Sequence, residues 1–276
     1  MSGKDELAQL SLTFNMMMES LEDLEVGKVI QETFFPSKPL ETNGWSAFGA
    51  SRSTARVGGA YFDYLSLPDG RMLIFTGNAA GNGVSEGLIV AMVKAVFSYP
   101  AVEKSPSILL DRLNAVLAST LNKRWTMSCC VVLFDPVTRA IDIATAGDSR
   151  PILVRENSCE RIGMLNDQAG AWKKPCDSLP SFVLGNEDWL CFPAHSSPNS
   201  PSETGTNPLP EIIQRQLPLQ KKLNAKETHA SLLEWFSSLS VDGWREEEVT
   251  MVILQRISPP PCGFQPSQDS SALFYL

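Results

Sequence analysis

The chain has 276 residues, of which 43% are hydrophobic, enough for one large domain or two small ones with a sizeable core. Its net charge is −8, and no cluster of Lys and Arg residues reverses this balance locally. An acidic surface repels a phosphate backbone, so we expect no nucleic acid among the partners of this protein.

The cysteines do not indicate a metal site. Six are present, at Cys129, Cys130, Cys159, Cys176, Cys191 and Cys262, without a C-x-x-C pair, and the two histidines lie far apart in the chain. This pattern argues against a zinc site and favours small buried thiols in a reducing compartment. No run of about 18 apolar residues is present, and the first residues are polar, so we expect a soluble chain without a signal peptide.

The N-terminal segment carries apolar residues at alternating spacings of three and four: Leu7, Leu10, Phe14, Met17, Leu21 and Leu24. This spacing is typical of the a and d positions of a coiled coil, which are buried against a second helix. It predicts a parallel homodimer through this helix. The alternative is an amphipathic helix that packs on its own domain.

The elements that follow can be predicted in chain order. A connecting helix over residues 25–36 ends at Pro36. Strands are predicted over Trp45–Ser51, Tyr61–Leu67, Arg71–Thr76, Met127–Phe134, Ala140–Ala146, Pro151–Arg155, Phe182–Leu184, Trp189–Phe192 and Val249–Arg256. Helices are predicted over Val84–Phe97, Ser107–Leu121, Ile212–Leu217 and Thr228–Leu239. The loop His195–Pro210 is rich in Pro and Ser, and residues 258–276 have the composition of a disordered tail. The order predicts an α+β domain of antiparallel sheets with helices packed outside.

Four short motifs stand in order over about two thirds of the chain. They are Gly58-Gly59-Ala60-Tyr61-Phe62-Asp63, Gly77-Asn78-Ala79-Ala80-Gly81-Asn82-Gly83, Ala146-Gly147-Asp148-Ser149-Arg150-Pro151 and Glu247-Glu248-Val249-Thr250. The second lies between a predicted strand and a predicted helix. It is not a phosphate-binding loop, because it matches neither G-x-G-x-x-G nor the P-loop pattern with its lysine. Taken alone, it would be an ordinary strand-to-helix turn.

Taken together, these motifs resemble the PPM-type serine/threonine phosphatases of the RsbU and SpoIIE-like branch. The resemblance implies an αββα sandwich of two antiparallel sheets flanked by helices, here preceded by a coiled-coil helix. It also implies two Mn²⁺ or Mg²⁺ ions that activate a water for attack on phosphoserine or phosphothreonine. We expect the phosphatase-like domain to occupy residues 37–257.

The N-terminal segment resembles a second family. Asp5-Glu6-Leu7, then Phe14, Asn15 and Met17, are similar to the second helix of HAMP linkers, which relay signals as parallel coiled coils. Residues 1–24 would then be the remnant of a HAMP linker, joined to the phosphatase-like domain by residues 25–36. The resemblance implies a domain at the cytoplasmic face, tethered to the inner membrane only through a segment upstream of this chain.

Most of the ligands that the resemblance implies are missing. The positions of the family's four aspartates fall on Ala60, Asn78, Ala194 and Glu247, and the neighbouring Ala79 has no assigned role. Alanine has no ligand atom, an amide oxygen is neutral, and hard divalent cations require carboxylates. We therefore expect no bound metal cofactor.

Nearby polar residues do not replace the missing ligands. Asp63 and Asp148 are better explained by hydrogen bonding at strand ends than by ligation, and His195 by exposure in a polar loop. Three functions stay open. The first is a pseudophosphatase that binds a phospho-signalling protein such as an anti-sigma-factor antagonist. The second is an active phosphatase with a rearranged site, and the third is a structural dimerisation module. The change of all three residues from Pro193 to His195 favours natural drift over an engineered knockout.

Overall fold

A computed structural model describes residues 22, 24–52, 57–81, 83–98, 105–120, 125–155, 158–163, 167–171, 180–195, 231, 234 and 249–257. The predicted seam residues Leu7, Leu10, Phe14, Met17 and Leu21 lie outside this part of the chain, as do Glu247, the predicted helix Ile212–Leu217 and the predicted tail. The HAMP-like segment therefore stays a prediction.

Within the described residues, two antiparallel sheets form the centre of the molecule. The strands are β1 (Leu40–Thr42), β2 (Trp45–Arg52), β3 (Ala60–Ser66), β4 (Met72–Ala79), β5 (Met127–Phe134), β6 (Ala140–Ala146), β7 (Ile152–Val154), β8 (Cys159–Arg161), β9 (Phe182–Val183), β10 (Trp189–His195) and β11 (Val249–Arg256). One sheet has the order β1-β2-β11-β10-β7-β8, and the other has the order β3-β4-β5-β6-β9. We refer to them as the six-stranded and the five-stranded sheet.

Three helices lie within continuous stretches of described residues, and the separately described residues 231 and 234 are also helical. Helix α1 covers residues 24–32, α2 covers Val84–Ser98 and α3 covers Pro106–Thr120. The apolar residues of α2 and α3 that recur every three or four positions pack on one face of the five-stranded sheet, around Phe75, Val131 and Leu133. Its other face packs against the six-stranded sheet, through residues such as Phe62, Phe192 and Val252. The layered α+β sandwich is therefore confirmed.

Two contacts establish how the sheets are aligned. The ring of Trp45, at the start of β2, lies 4.8 Å from the ring of Phe134, at the end of β5. Farther along β2, the Phe62 ring occupies the space that a Cβ on Gly49 would need. The end of β2 therefore lies at the same end of the sandwich as the start of β3. Ala60, Asn78 and Ala194, three of the four family positions, lie at this end.

The predicted boundaries are close to the observed ones. Strands β5, β6 and β11 have the predicted limits, whereas β10 continues to His195 and the third predicted strand reaches Ala79. Helix α1 ends at residue 32, because the backbone turns there with bonds from Thr33 N–H to Ile30 O and from Phe34 N–H to Gln31 O. Strands β1 and β8, each of three residues, were not predicted. No helix in the described part of the chain is both long and apolar enough to cross a membrane.

Candidate functional site

Three of the four family positions lie on the inner faces of the two sheets, at the same end of the sandwich. Side chains alternate between the faces of a strand, so Ala60 shares the face of Phe62, and Asn78 that of Ile74. Ala194 likewise shares the face of Phe192. The structure therefore brings together, between the sheets, the positions that the motifs indicated.

The register of the strands places polar groups beside these positions. Ala60 is the partner of Asn78, which is in turn the partner of Ser128 on β5. On the facing sheet, Ala194 is the partner of Thr250. The Thr250 hydroxyl is 2.6 Å from the hydroxyl of Ser51, its neighbour on β2. The lining of this end is polar but, at these positions, uncharged.

The donor set at these positions does not fit a two-ion centre. Ala60 and Ala194 are buried and have no side-chain donor atom. The buried Asn78 Oδ1 has no hydrogen-bond partner among the described residues, so one neutral amide oxygen is available there. Within the described residues, no group of three or more His, Cys, Asp and Glu side chains could hold an ion. One neutral oxygen cannot balance two dications.

One acid near the site was not predicted from the sequence. Glu86, in the first turn of α2, has its carboxyl carbon 3.2 Å from the position that a Cβ on Gly59 would take. Asn78 Oδ1 lies at the same distance from that position. Glu86 therefore places a carboxyl group close to Asn78. The order of the residues could have indicated this acid. Glu86 lies in the first turn of the helix that follows the glycine loop, and a strand-to-helix turn brings such a residue back to the end of the strand.

The loop that enters β3 is bound to both neighbouring helices. Gln31 of α1 donates from Nε2 to Gly58 O at 2.6 Å and accepts a hydrogen bond from Gly58 N–H at 3.1 Å. The Val57 side chain lies against Gly27 of α1 and Gly87 of α2, where an added Cβ would be 3.5 Å and 2.5 Å from it. Helix α1 is therefore hydrogen-bonded to Gly58, the residue immediately before Gly59 and Ala60.

Asp63 lies on the opposite face of β3, towards the helices. It accepts hydrogen bonds from the Tyr61 hydroxyl at 2.6 Å and from Tyr64 N–H at 2.9 Å, and it forms an ion pair with Lys94 of α2 at 2.7 Å. Burial, with the charge and the hydrogen bond of Asp63, raises the pKa of Tyr61 far above its usual range. Asp63 thus anchors α2 on the sheet and is not a ligand of the site between the sheets.

Asp148 is exposed and is paired with two arginines. Arg150 donates to Asp148 Oδ1 from Nε at 2.9 Å and lies 2.8 Å from it through Nη2. Arg161 of β8 lies 3.7 Å from the same oxygen. Gly147, which has a φ of +66°, makes the preceding turn. Asp148 therefore acts as an ion-pair partner in the structure, and these two arginines were not predicted as site residues.

The described cysteines have the properties expected of structural thiols. Cys129, Cys130 and Cys191 are buried, and none of the four described cysteines forms a disulfide bond. Burial, with a smaller contribution from Cys159, raises the pKa of the Cys191 thiol well above its usual range. Burial also raises the pKa of Cys159. A thiol with a raised pKa is a poor nucleophile at neutral pH, so neither Cys159 nor Cys191 substitutes for a metal-activated water.

Comparison with known proteins supports the class indicated by the fold. Residues 68–168 match the family described as Stage II sporulation protein E (SpoIIE). The structure is similar to the SiaA-PP2C domain of Pseudomonas aeruginosa, with a TM-score of 0.68, 15% identity and coverage of 87% of this chain and 98% of that chain. No curated protein matches the sequence.

Two further structures share the fold. The RsbU and RsbW domains of Rv1364c from Mycobacterium tuberculosis align with a TM-score of 0.61 and 18% identity, over 78% of this chain and 61% of that one. The PP2C domain of SpoIIE from Bacillus subtilis, with a fragment of its regulatory domain, gives a TM-score of 0.61 and 15% identity, over 78% and 64%. The chain therefore spans less than two thirds of each of these two relatives.

The chain has the fold of a PP2C-type phosphatase domain. The match of residues 68–168 to the SpoIIE family model agrees with the resemblance that the four motifs indicated. One protein of this fold, RsbX, was crystallised in complex with magnesium; its TM-score is 0.58 and its identity 12%. Metal binding thus occurs in a protein of this fold, whereas Ala60, Asn78 and Ala194 of this chain supply no carboxylate.

Proposed function

We propose that this protein is a pseudophosphatase of the RsbU- and SpoIIE-like branch, which binds a phosphorylated signalling protein without hydrolysing it. The observation that carries the proposal is the inward-facing set of Ala60, Asn78 and Ala194, which offers one neutral oxygen where a two-ion centre needs several carboxylates. Without an activated water, phosphoryl transfer has no nucleophile at this site.

The loops at the site support a binding role, since they keep their geometry without the ligands. A Cβ on Gly59 would lie 2.6 Å from Ala79 O, so the two site strands approach each other closely only because residue 59 is glycine. Ala79 N–H donates to Gly59 O at 2.9 Å. A framework of this kind can still present a shaped surface to a partner.

The partner is proposed by analogy with the relatives. In Rv1364c, RsbU and RsbW domains occur in one protein, and another structure of similar fold, with a TM-score of 0.54, is described as part of the bacterial stressosome. We propose a small phosphorylated regulator, such as an anti-sigma-factor antagonist, as the partner of this chain. The HAMP-like helix would deliver the upstream signal through α1 and the Gln31–Gly58 contact.

The experiment that tests this proposal measures phosphatase turnover with Mn²⁺ and with Mg²⁺. We expect no turnover of p-nitrophenyl phosphate or of phosphoserine peptides above the rate of a heat-denatured sample. The matched positive control is the triple variant Ala60→Asp, Asn78→Asp and Ala194→Asp, which places carboxylates at three of the family's four ligand positions. Metal-dependent turnover by the unmodified chain would overturn the proposal.

The second candidate is an active phosphatase with a rearranged site, and Glu86 is the observation that favours it. Its carboxyl group lies near Asn78, and Glu247, two residues before β11 in the sequence, would supply a second acid. If this candidate is right, Glu86→Gln should abolish metal-dependent turnover, whereas Glu187→Gln, an exposed acid in the turn before β10, should leave it unchanged.

A further inference from the structure

Two arginines share one carboxylate at the end of the six-stranded sheet that borders the site. β7 pairs antiparallel with β10, with Ile152 opposite Cys191. Arg150 precedes Ile152 by two residues, so it lies towards the end of β10 that carries Ala194. Arg161 is the partner of Ile152 on the edge strand β8. Arg161 shares the face of Ile152 and Cys159, so it lies on the outer face of the six-stranded sheet, on the side away from the five-stranded sheet.

Among the described side chains, the charges of this cluster are not balanced. Arg150 and Arg161 both lie against Asp148 Oδ1, at 2.8 Å and 3.7 Å, so two cations share one acid. At the other end of the β7–β8 hairpin, Arg155 alone has two acids, Glu160 at 2.9 Å and Asp188 at 3.6 Å. An excess of positive charge is unexpected in a chain whose net charge is −8.

The two arginines are also poorly hydrated. Their side chains are only 20% and 18% exposed, whereas the side chain of Asp148 is 54% exposed. Burial lowers the pKa of Arg161; the charge of Asp148 opposes this shift, and the charge of Arg150 adds to it. A guanidinium stays charged at neutral pH, so this pair is a desolvated cationic site that a second anion would stabilise.

An unused hydroxyl lies next to Arg150 in the chain, between it and Asp148. Ser149 is 6% exposed, and its Oγ has no hydrogen-bond partner among the described residues. Within the described residues, Arg161 pairs with Asp148 at 3.7 Å, a distance too long for a hydrogen bond. Guanidinium groups match the oxygens of a phosphate in pairs, and a hydroxyl can donate to a further oxygen.

We propose that Arg150 and Arg161 bind the phosphoryl group of a phosphoserine or phosphothreonine side chain, and that Asp148 occupies this site when no ligand is bound. Because Asp148 is largely exposed, its carboxylate can turn into solvent as a phosphate dianion takes its place. Binding is non-covalent, and no bond of the phosphate ester is broken. The identity of the ligand rests on the proposed function; the anion site itself rests on the charges and burial described above.

The test follows the Nε–Hε NMR signals of Arg150 and Arg161 in the full chain, titrated with N-acetyl-O-phosphoserine methylamide. We expect saturable shifts that the unphosphorylated serine compound does not produce. Arg161→Gln should weaken binding about tenfold or more, since it removes one charge-assisted contact. Asp148→Asn should strengthen binding, because it removes the competing carboxylate. The matched control Arg155→Gln, at the other end of the same hairpin, should not change the affinity.

Several outcomes would overturn the inference. They are the absence of shifts with the phosphoserine compound, equal affinity in folded Arg161→Gln, weaker or unchanged affinity in Asp148→Asn, and binding of inorganic phosphate alone. The Asp148→Asn arm decides the question if Arg161→Gln does not fold, because Asp148 is exposed. Turnover by the unmodified chain would instead contradict the proposed function and leave the anion site in place, so the two failures are distinguishable.

Discussion

The side-chain amide of Gln31 forms two hydrogen bonds with the backbone of Gly58, one through each polar atom of the amide. Gln31 is buried, and Gly58 stands two residues before Ala60 at the start of β3. A helix that arrives from the N-terminal segment is thereby bonded to the loop that forms one wall of the candidate site. Val57, which lies between α1 and α2, provides a second contact of α1 with this loop.

Replacing Gln31 should destabilise the domain. Gln31→Ala leaves both the N–H and the C=O of Gly58 without their partners in a buried place, so we expect the free energy of unfolding to fall by about 1–3 kcal/mol. Urea denaturation checks the value. The control is Glu32→Ala on the exposed face of the same helix, with an expected change within about 0.5 kcal/mol. Equal effects of the two substitutions would show that the contact does not stabilise the fold.

The ion pair of Asp63 and Lys94, which joins α2 to the sheet, should contribute more to stability than an exposed ion pair. Asp63→Asn leaves Lys94 without its acid, and we expect a loss of about 2–3 kcal/mol, below the cost for a fully buried pair because Lys94 is 31% exposed. The exposed pair of Arg155 and Glu160 is the control, and Glu160→Gln should cost at most about 1 kcal/mol. A smaller loss for Asp63→Asn than for Glu160→Gln would contradict this account.

The domain should lose stability at alkaline pH. Burial raises the pKa of Tyr64 to about 12, and it raises that of Tyr61 further. The folded state therefore holds these protons more tightly than the unfolded state, so the contribution is complete below about pH 10 and is lost as the pH rises towards 12. The expected slope is about 1.4 kcal/mol per pH unit for each tyrosine. Urea denaturation between about pH 9 and 11.5 measures it. Tyr64→Phe should reduce the slope by one tyrosine's share, and an unchanged slope would refute the assignment.

Much of this fold is predictable because its elements are locally consistent. Strands such as β5 and β6 have apolar sequences bounded by turns, and Pro68-Asp69-Gly70, a sequence typical of a hairpin turn, joins β3 to β4 with Gly70 at a φ of +83°. The short edge strands β1 and β8 escaped prediction because three residues carry no periodicity, and their pairing depends on the neighbouring strand. The end of α1 depends on a turn that Pro36 alone did not locate.

Some residues of the candidate site could likewise be predicted from the sequence, and others could not. Ala60, Asn78 and Ala194 could be placed because each stands in a motif with a fixed position in a strand. Glu86, Gln31 and the pair of Arg150 and Arg161 could not, because their roles depend on contacts between residues distant in the sequence or on opposite sides of a turn. Asp63 illustrates the difference. It stands in the same motif as Ala60, but the alternation of side chains along β3 places it on the face towards the helices.

The dimer stays a prediction from the N-terminal pattern. Leu10→Asp with Met17→Asp would bury charges in the predicted seam, and we expect a dimer to become a monomer in sedimentation velocity. Gln9→Asp with Asn15→Asp is the matched control, because it adds the same two charges outside the a and d positions. An unchanged mass in the seam variant would favour a helix packed on its own domain. In a parallel dimer, Phe14 should face its own copy.

The central claim is that this domain keeps the phosphatase fold without the two-ion centre, and calorimetric titration of the full chain with Mn²⁺ tests it most directly. We expect no stoichiometric binding to the unmodified chain, because Ala60, Asn78 and Ala194 supply a single neutral oxygen. The triple variant Ala60→Asp, Asn78→Asp and Ala194→Asp should gain Mn²⁺ binding. Two equivalents of Mn²⁺ bound by the unmodified chain, and lost on Glu247→Gln or Glu86→Gln, would contradict the account.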